Sequence, residues 1–136
     1  LQTGATVEIT QPSPAYENTR ANGTLGRAFR RNMEALGLEV QAHDRPGSAS
    51  SDFGNISQRK PAASAKFSIS AERIPGHSIA MREAAASDCA RDALIAISKA
   101  YALTAYDVLV DPGLLEEAKR EFAAGATTAG RLEQTY

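Results

Sequence analysis

The sequence predicts an α/β fold, and three features carry that reading. Short stretches alternate apolar and polar residues with a period of two, as half-buried strands do. Longer stretches space their apolar residues by three and four, as amphipathic helices do. Polar loops rich in Gly, Pro, Ser and Asp separate them. A chain of 136 residues suits one domain, able to bury about two-thirds of its unfolded surface.

The first strand is expected over residues 6–10, where Val7 and Ile9 face one way and Thr6, Glu8 and Thr10 the other. Pro12 and Pro14 break the pattern. From about Thr19 to Leu36 the spacing turns helical, with Leu25, Phe29, Met33 and Leu36 on one stripe. Gly37 suits a left-handed stop. Leu38 to Ala42 reads as a second strand, and "HDRPGSASSDFGN" as a long loop of the kind that tends to carry function or disorder. "KFSIS", residues 66–70, gives a third strand, and "AERIPGHS" another loop.

Ser87 is a suitable cap for a helix running to about Val110. Its stripe of Leu94, Ile97, Tyr101, Ala105 and Val108, widened by Ala90, Ala93 and Leu109, is broad enough to require burial against a sheet or another helix. Asp111 and Pro112 then cap and open a last helix, whose apolar face is Leu114, Leu115, Ala118 and Phe122. "AAGATTAG" reads as a fraying tail.

Composition excludes more than it selects. The net charge of −1 gives no general attraction to nucleic acid or an anionic membrane, and Arg27, Arg30 and Arg31 read as a solvated helix face. Cys89 is the only cysteine, so no internal disulfide forms, which suits a reducing compartment such as the cytoplasm. No uninterrupted apolar run approaches the roughly 18 residues of a membrane span. The chain opens almost directly into a strand, without methionine, so a piece of a longer polypeptide is expected. It holds no Gly-rich phosphate loop, CxxC pair, HExxH or GxSxG.

The stretch "SSDFGNISQ", residues 50–58, packs turn-forming chemistry between two apolar segments. Asp52 reads either as a carboxylate beside a ligand or as the head of a turn whose side chain bonds nearby N–H groups. Asn55 has the same two readings, and Gly54 between them suits a positive φ. His77, flanked by Gly76 and Ser78, reads as a metal ligand or as an ordinary surface or hydrogen-bonded histidine. His43 with Asp44 reads more easily as solvent loop than as a catalytic pair. Cys89, near a helix start, reads as a small apolar filler rather than an activated thiol.

Taken together, "TGATVEI", the "Y…N…L" run into a helix ending "LG", "SSDFGNIS", "GHS" and "AISKAYALTAYDVLVDPGLLEEAKREF" resemble one family. It is the zinc-dependent aminoacylase and carboxypeptidase family of amidohydrolases and metallopeptidases (peptidase family M-twenty), and within it the branch of aminobenzoyl-glutamate hydrolases and related dipeptidases. The resemblance implies that residues 1–15 end a lid or dimerisation domain. Residues 16–136 would then form the C-terminal portion of a mixed-sheet catalytic domain packed by helices. It further implies two zinc ions, of which this chain supplies at most one ligand, His77. Ser51, Asp52 and Asn55 would orient substrate or loop. The bridging carboxylate and the general-base glutamate belong to the N-terminal part of the family's proteins, so the resemblance assigns this chain no catalytic residue.

The expected substrate is a small amide, an N-acyl amino acid or a dipeptide-like molecule. The expected partner is the missing N-terminal half or a second copy, with no nucleic acid and no membrane. In isolation the chain is expected to be inactive. Two other readings are a non-catalytic dimerising or interaction module derived from the same fold, and a single metal site shared by His77 and His43.

Overall fold

The computed structural model describes residues 4, 6–12, 14–40 and 51–132, the side chains of 126–132 excepted. Five helices run in order: α1, Gly23–Ala35; α2, Phe53–Ser57; α3, Ile79–Ala85; α4, Asp88–Val110; and α5, Pro112–Leu132. Local chemistry starts each of the longer ones. Asn22 caps α1 by accepting from the Leu25 N–H, and Ser87 caps α4 by accepting from that of Ala90. Asp111 accepts from the N–H groups of Gly113 and Leu114 at 2.9 and 3.2 Å, with Pro112 at the first helical position. Gly37, at φ +74, lets the chain leave α1 in the left-handed conformation.

α1 begins four residues later than its apolar spacing suggests, because Asn22 captures the free Leu25 N–H there. α3 was not expected from spacing. It buries no residue and rests on its Ser78 cap, which accepts from the Met81 N–H at 3.1 Å. The stretch read as a fraying tail is instead the second half of α5, which continues through Leu132.

The core forms where α1 crosses α4. Phe29 and Met33 meet Ile97 and Ala100, with Leu38, Val40 and Ala65 packed around them. Each of the three large side chains contributes about 1.5–3 kcal/mol by leaving water. The Phe29 and Tyr101 rings lie 4.6 Å apart at 50°, a tilted pairing that suits their quadrupoles. Polar bonds fix the register of the two helices. Asn32 Nδ2 donates to Thr104 Oγ1 at 3.1 Å and to Asp107 Oδ2 at 2.9 Å, and Arg31 pairs with the same carboxylate.

Among the described residues no strand ladder forms. Val7 and Ile9 are 82% and 91% exposed, and residues 38–40 and 61–68 carry neither helix nor ladder. A strand is stable only with a neighbour to satisfy its backbone and cover one face. Residues 41 and 42 of the second expected strand lie outside the described residues.

α4 departs from a simple two-sided helix. Ala90, Ile97 and Ala100 are buried, while Ile95, Tyr106 and Leu109 on the far side stay exposed. By length and composition alone it is long and apolar enough to cross a bilayer, which a search for uninterrupted apolar runs does not reveal. Between Ala93 and Val110 only Lys99 and Asp107 carry charge.

Candidate functional site

The stretch around Asp52 is a short helix clamped to the chain that leads into α1. At α2 the backbone passes so near residues 17 and 18 that a Cβ built on Gly54 would lie 1.8 Å from the Glu17 carbonyl oxygen. Close approach is therefore the reason for glycine here. Its φ is not among the positive ones, which corrects the expectation of a left-handed turn. Ser57, 0% exposed, accepts from the Arg20 N–H at 2.9 Å and donates to the Gly54 carbonyl at 2.7 Å. Gln58 Nε2 donates to the Asn18 carbonyl at 2.7 Å, and Arg59 holds the Glu17 carboxylate through two bonds of 3.0 Å.

Asn55 belongs to this clamp. Its Nδ2 donates to the Ala15 carbonyl at 3.0 Å and its Oδ1 accepts from the Glu17 N–H at 3.5 Å. Both ends of the amide are thus spent on the backbone of residues 15–17. Asp52 precedes α2 in helical conformation, is exposed, and makes no side-chain cap. The expected Asp-led turn does not form, and its carboxylate is directed to no protein donor. Ser51 is exposed and contributes its carbonyl, which accepts from the Gly54 N–H at 3.1 Å.

His77 stands at the turn before α3 with φ 55, the one non-glycine residue at positive φ among those described. L-residues with a Cβ avoid that region, histidine less strongly than most. The ring is exposed and makes no hydrogen bond. The next residue secures the turn, Ser78 Oγ donating to the Pro75 carbonyl at 2.7 Å. α3 packs only on α4, and α2 touches no other helix, so no helix contact joins His77 to the Asp52 stretch. Among the described residues no three His, Cys, Asp or Glu side chains gather closely enough to hold a metal. His43 and Asp44 lie outside the described residues. Cys89 is exposed rather than a buried filler.

Sequence reasoning missed a second polar constellation. Glu121 on α5 reaches the start of α1, where its carboxylate accepts from the Gly23 N–H at 2.6 Å, the Thr24 N–H at 2.8 Å and the Thr24 hydroxyl at 2.7 Å. Asn22 adds Nδ2 to the Ala118 carbonyl at 2.9 Å. The Thr24 hydroxyl, followed by the two N–H groups, holds the Glu121 carboxyl below its ordinary 4.5, against a partial desolvation that opposes it. Asn32 and then Arg31 lower Asp107 from 3.8 in the same way. The Glu121 partners lie 97 and 98 residues away and those of Asp107 75 and 76, and no local pattern announces them.

An open groove of about 1440 Å³ lies between α1, α4, α5 and residues 38–40 and 60–68. Its lining is mainly apolar, with Phe29, Met33, Phe67, Tyr101 and Val108 among its walls, and none of Ser51, Asp52, Asn55 or His77 reaches it.

No family model matches the chain. It is 37% identical over 125 residues to the Xaa-Arg dipeptidase of Mus musculus and 35% identical over 125 residues to the Xaa-Arg dipeptidase of Homo sapiens. Each alignment covers 90% of this chain, but only 29% and 28% of those proteins. The chain thus spans less than a third of the curated relatives it matches. The likeness supports a peptidase or amidohydrolase relationship along nearly its whole length.

Proposed function

We propose that this chain forms the C-terminal part of the catalytic domain of a metal-dependent amidohydrolase that cleaves the amide bond of dipeptide-like or N-acyl amino acid substrates. The carrying observation is the collinear likeness to two dipeptidases over 90% of the chain. On this reading residues 1–15 end a lid or dimerisation domain, and residues 16–136 belong to an α/β domain completed by chain outside them. Within the family, the aminobenzoyl-glutamate hydrolase and dipeptidase branch fits the quoted motifs best.

His77 suits one place in a zinc site. Its imidazole is exposed and unbonded, on a turn whose backbone is held in an uncommon conformation, as residues at ligand clamps often are. With no group of three metal-binding side chains gathered among the described residues, the remaining ligands on this reading come from outside them. When bound, zinc lowers the pKa of a bound water and polarises the scissile carbonyl. This chain's own part is to present the His77 ring, to leave the Asp52 carboxylate unpaired beside the α2 clamp, and to hold that clamp through Asn55. The general base lies outside the chain, so the 136 residues alone are expected to show no hydrolysis.

The test is a zinc titration and a hydrolysis assay on the polypeptide of the intact reading frame, with Xaa-Arg dipeptides and N-acyl amino acids as substrates. Loss of an outer partner of a metal site costs about 10–100-fold in affinity, so His77→Ala should cost at least that for zinc and abolish turnover. Unchanged zinc affinity in that variant would end the reading. A non-catalytic module derived from the same fold is the second reading, favoured by the exposed apolar side of α4. It predicts no turnover in the intact polypeptide either.

A further inference from the structure

We propose that N-glycosylation and folding compete for Asn22 and Asn55, so that this chain reaches its fold only in a compartment that attaches no N-glycans. Asn22-Gly23-Thr24 and Asn55-Ile56-Ser57 both have the Asn-x-Ser/Thr pattern of a glycan acceptor, which ordinarily marks a surface loop. Neither lies in one. Asn22 and Thr24 are 4% and 3% exposed, and Ser57 is fully buried. The constraint acts on folding and holds whatever reaction the longer polypeptide catalyses.

Asn22 is bonded through both its backbone and its side chain. Its N–H donates to the Ala62 carbonyl at 3.1 Å, and its carbonyl accepts from the Gly26 N–H at 3.0 Å. Its Oδ1 accepts from the Leu25 N–H at 3.0 Å, and its Nδ2 donates to the Ala118 carbonyl at 2.9 Å. In glycan transfer that nitrogen attacks the anomeric carbon of a lipid-diphosphate-linked oligosaccharide. An N–C bond forms, the bond from carbon to phosphate oxygen breaks, the diphosphate leaves with its lipid, and one Nδ2 proton passes to a base of the transferase. A sugar ring there needs the space that α5 holds at Ala118, itself 1% exposed. Asn55 is half-buried, and its Nδ2 donates to the Ala15 carbonyl at 3.0 Å, so a glycan on it parts α2 from the chain it clamps.

Timing decides which process wins. The α5 partner of Asn22 lies 96 residues later in the chain, and at about 5–20 residues per second it is synthesised about 5–20 s after Asn22 itself. Until then Asn22 is an open acceptor for a transferase working on the growing chain. Afterwards the fold hides it. The hydroxyls that complete the two acceptors are then committed as well, Thr24 to Glu121 and Ser57 to the Gly54 carbonyl, both at 2.7 Å.

The test expresses the polypeptide of the intact reading frame in eukaryotic cells with and without a cleavable secretory signal, reading glycan occupancy by mass and the soluble fraction. The signal-bearing chain should carry a glycan on Asn22 and lose soluble yield several-fold. Tunicamycin, which blocks assembly of the lipid-linked donor, should restore that yield. A second arm offers a soluble N-glycosyltransferase and a sugar nucleotide either the purified, folded, signal-less polypeptide or a synthetic peptide of residues 15–30. The peptide should be modified at Asn22 and the folded polypeptide should not. A soluble chain with a glycan on Asn22 and the thermal midpoint of the unmodified protein overturns the proposal. So does a signal-bearing chain that leaves Asn22 bare, insolubility that tunicamycin does not relieve, or a folded polypeptide modified as fast as the peptide.

Discussion

Glu121 and Thr24 tie α5 to the start of α1: the carboxylate on α5 accepts from both the N–H and the hydroxyl of Thr24, at 2.8 and 2.7 Å. A helix start normally finds its acceptor in its own cap. Here Asn22 takes the Leu25 N–H, and Glu121 takes those of Gly23 and Thr24. The negative charge also suits the positive end of the α1 dipole.

Replacing Glu121 by Ala should therefore destabilise the fold by about 1–2 kcal/mol, the range of a lost helix cap, seen as a lower urea midpoint with unchanged slope. Glu121→Gln should cost less, because one acceptor oxygen remains. No change in either variant would mean that α5 does not hold α1 in solution.

The same carboxyl sets a pH dependence. Its folded pKa lies below the ordinary 4.5, so the unfolded chain binds its proton first as pH falls. The stabilisation is complete above 4.5 and is lost as pH drops through the lower folded value. Asp107, lowered from 3.8 by Asn32 and Arg31, adds a loss of the same sign at lower pH. Thermal midpoints between pH 6 and 3 should fall less steeply in Glu121→Gln than in wild type; parallel curves would contradict this.

Gly54 should tolerate no side chain. A Cβ would meet the Glu17 carbonyl oxygen at 1.8 Å, and backbone cannot rotate away as a side chain can. Gly54→Ala should cost about 1–3 kcal/mol or more, the range for overpacking, and should raise exchange at the Arg20 N–H that Ser57 accepts. Wild-type stability would show that α2 does not press on residues 17 and 18.

Asn55 separates a structural role from a ligand role. Because its amide is committed to the backbone of residues 15 and 17, Asn55→Ala should lower stability by about 0.5–1.5 kcal/mol and leave KM of the intact polypeptide near wild type. A rise in KM without loss of stability would return Asn55 to substrate.

His77 carries a trade-off. At φ 55 a residue with a Cβ costs about 1–2 kcal/mol relative to one without, so His77→Gly should stabilise the fold by roughly 1 kcal/mol while removing the imidazole. Gain of stability with loss of zinc affinity is the expected pair of results. A destabilised His77→Gly would mean that the ring packs rather than presents itself.

The sequence by itself determined the helices that short-range chemistry can start and stop: the Ser87 and Asp111 caps, Pro112 at a first position, Gly37 at an exit, and the three-and-four spacing of Phe29, Met33, Ile97 and Tyr101. These rest on neighbours within a few residues, where backbone N–H groups and helix faces are set by local order alone. Only tertiary structure decided that Gly54 is needed for close approach, that Asn55 and Ser57 hold the entrance to α1, and that Glu121 caps a helix 97 residues away. Each of those depends on which distant backbone lies opposite, and a one-dimensional pattern carries no record of it. The α/β architecture and the zinc role of His77 fall in neither class. A strand ladder and a ligand cage are both completed by groups from elsewhere, so they rest with the proposed remainder of the polypeptide.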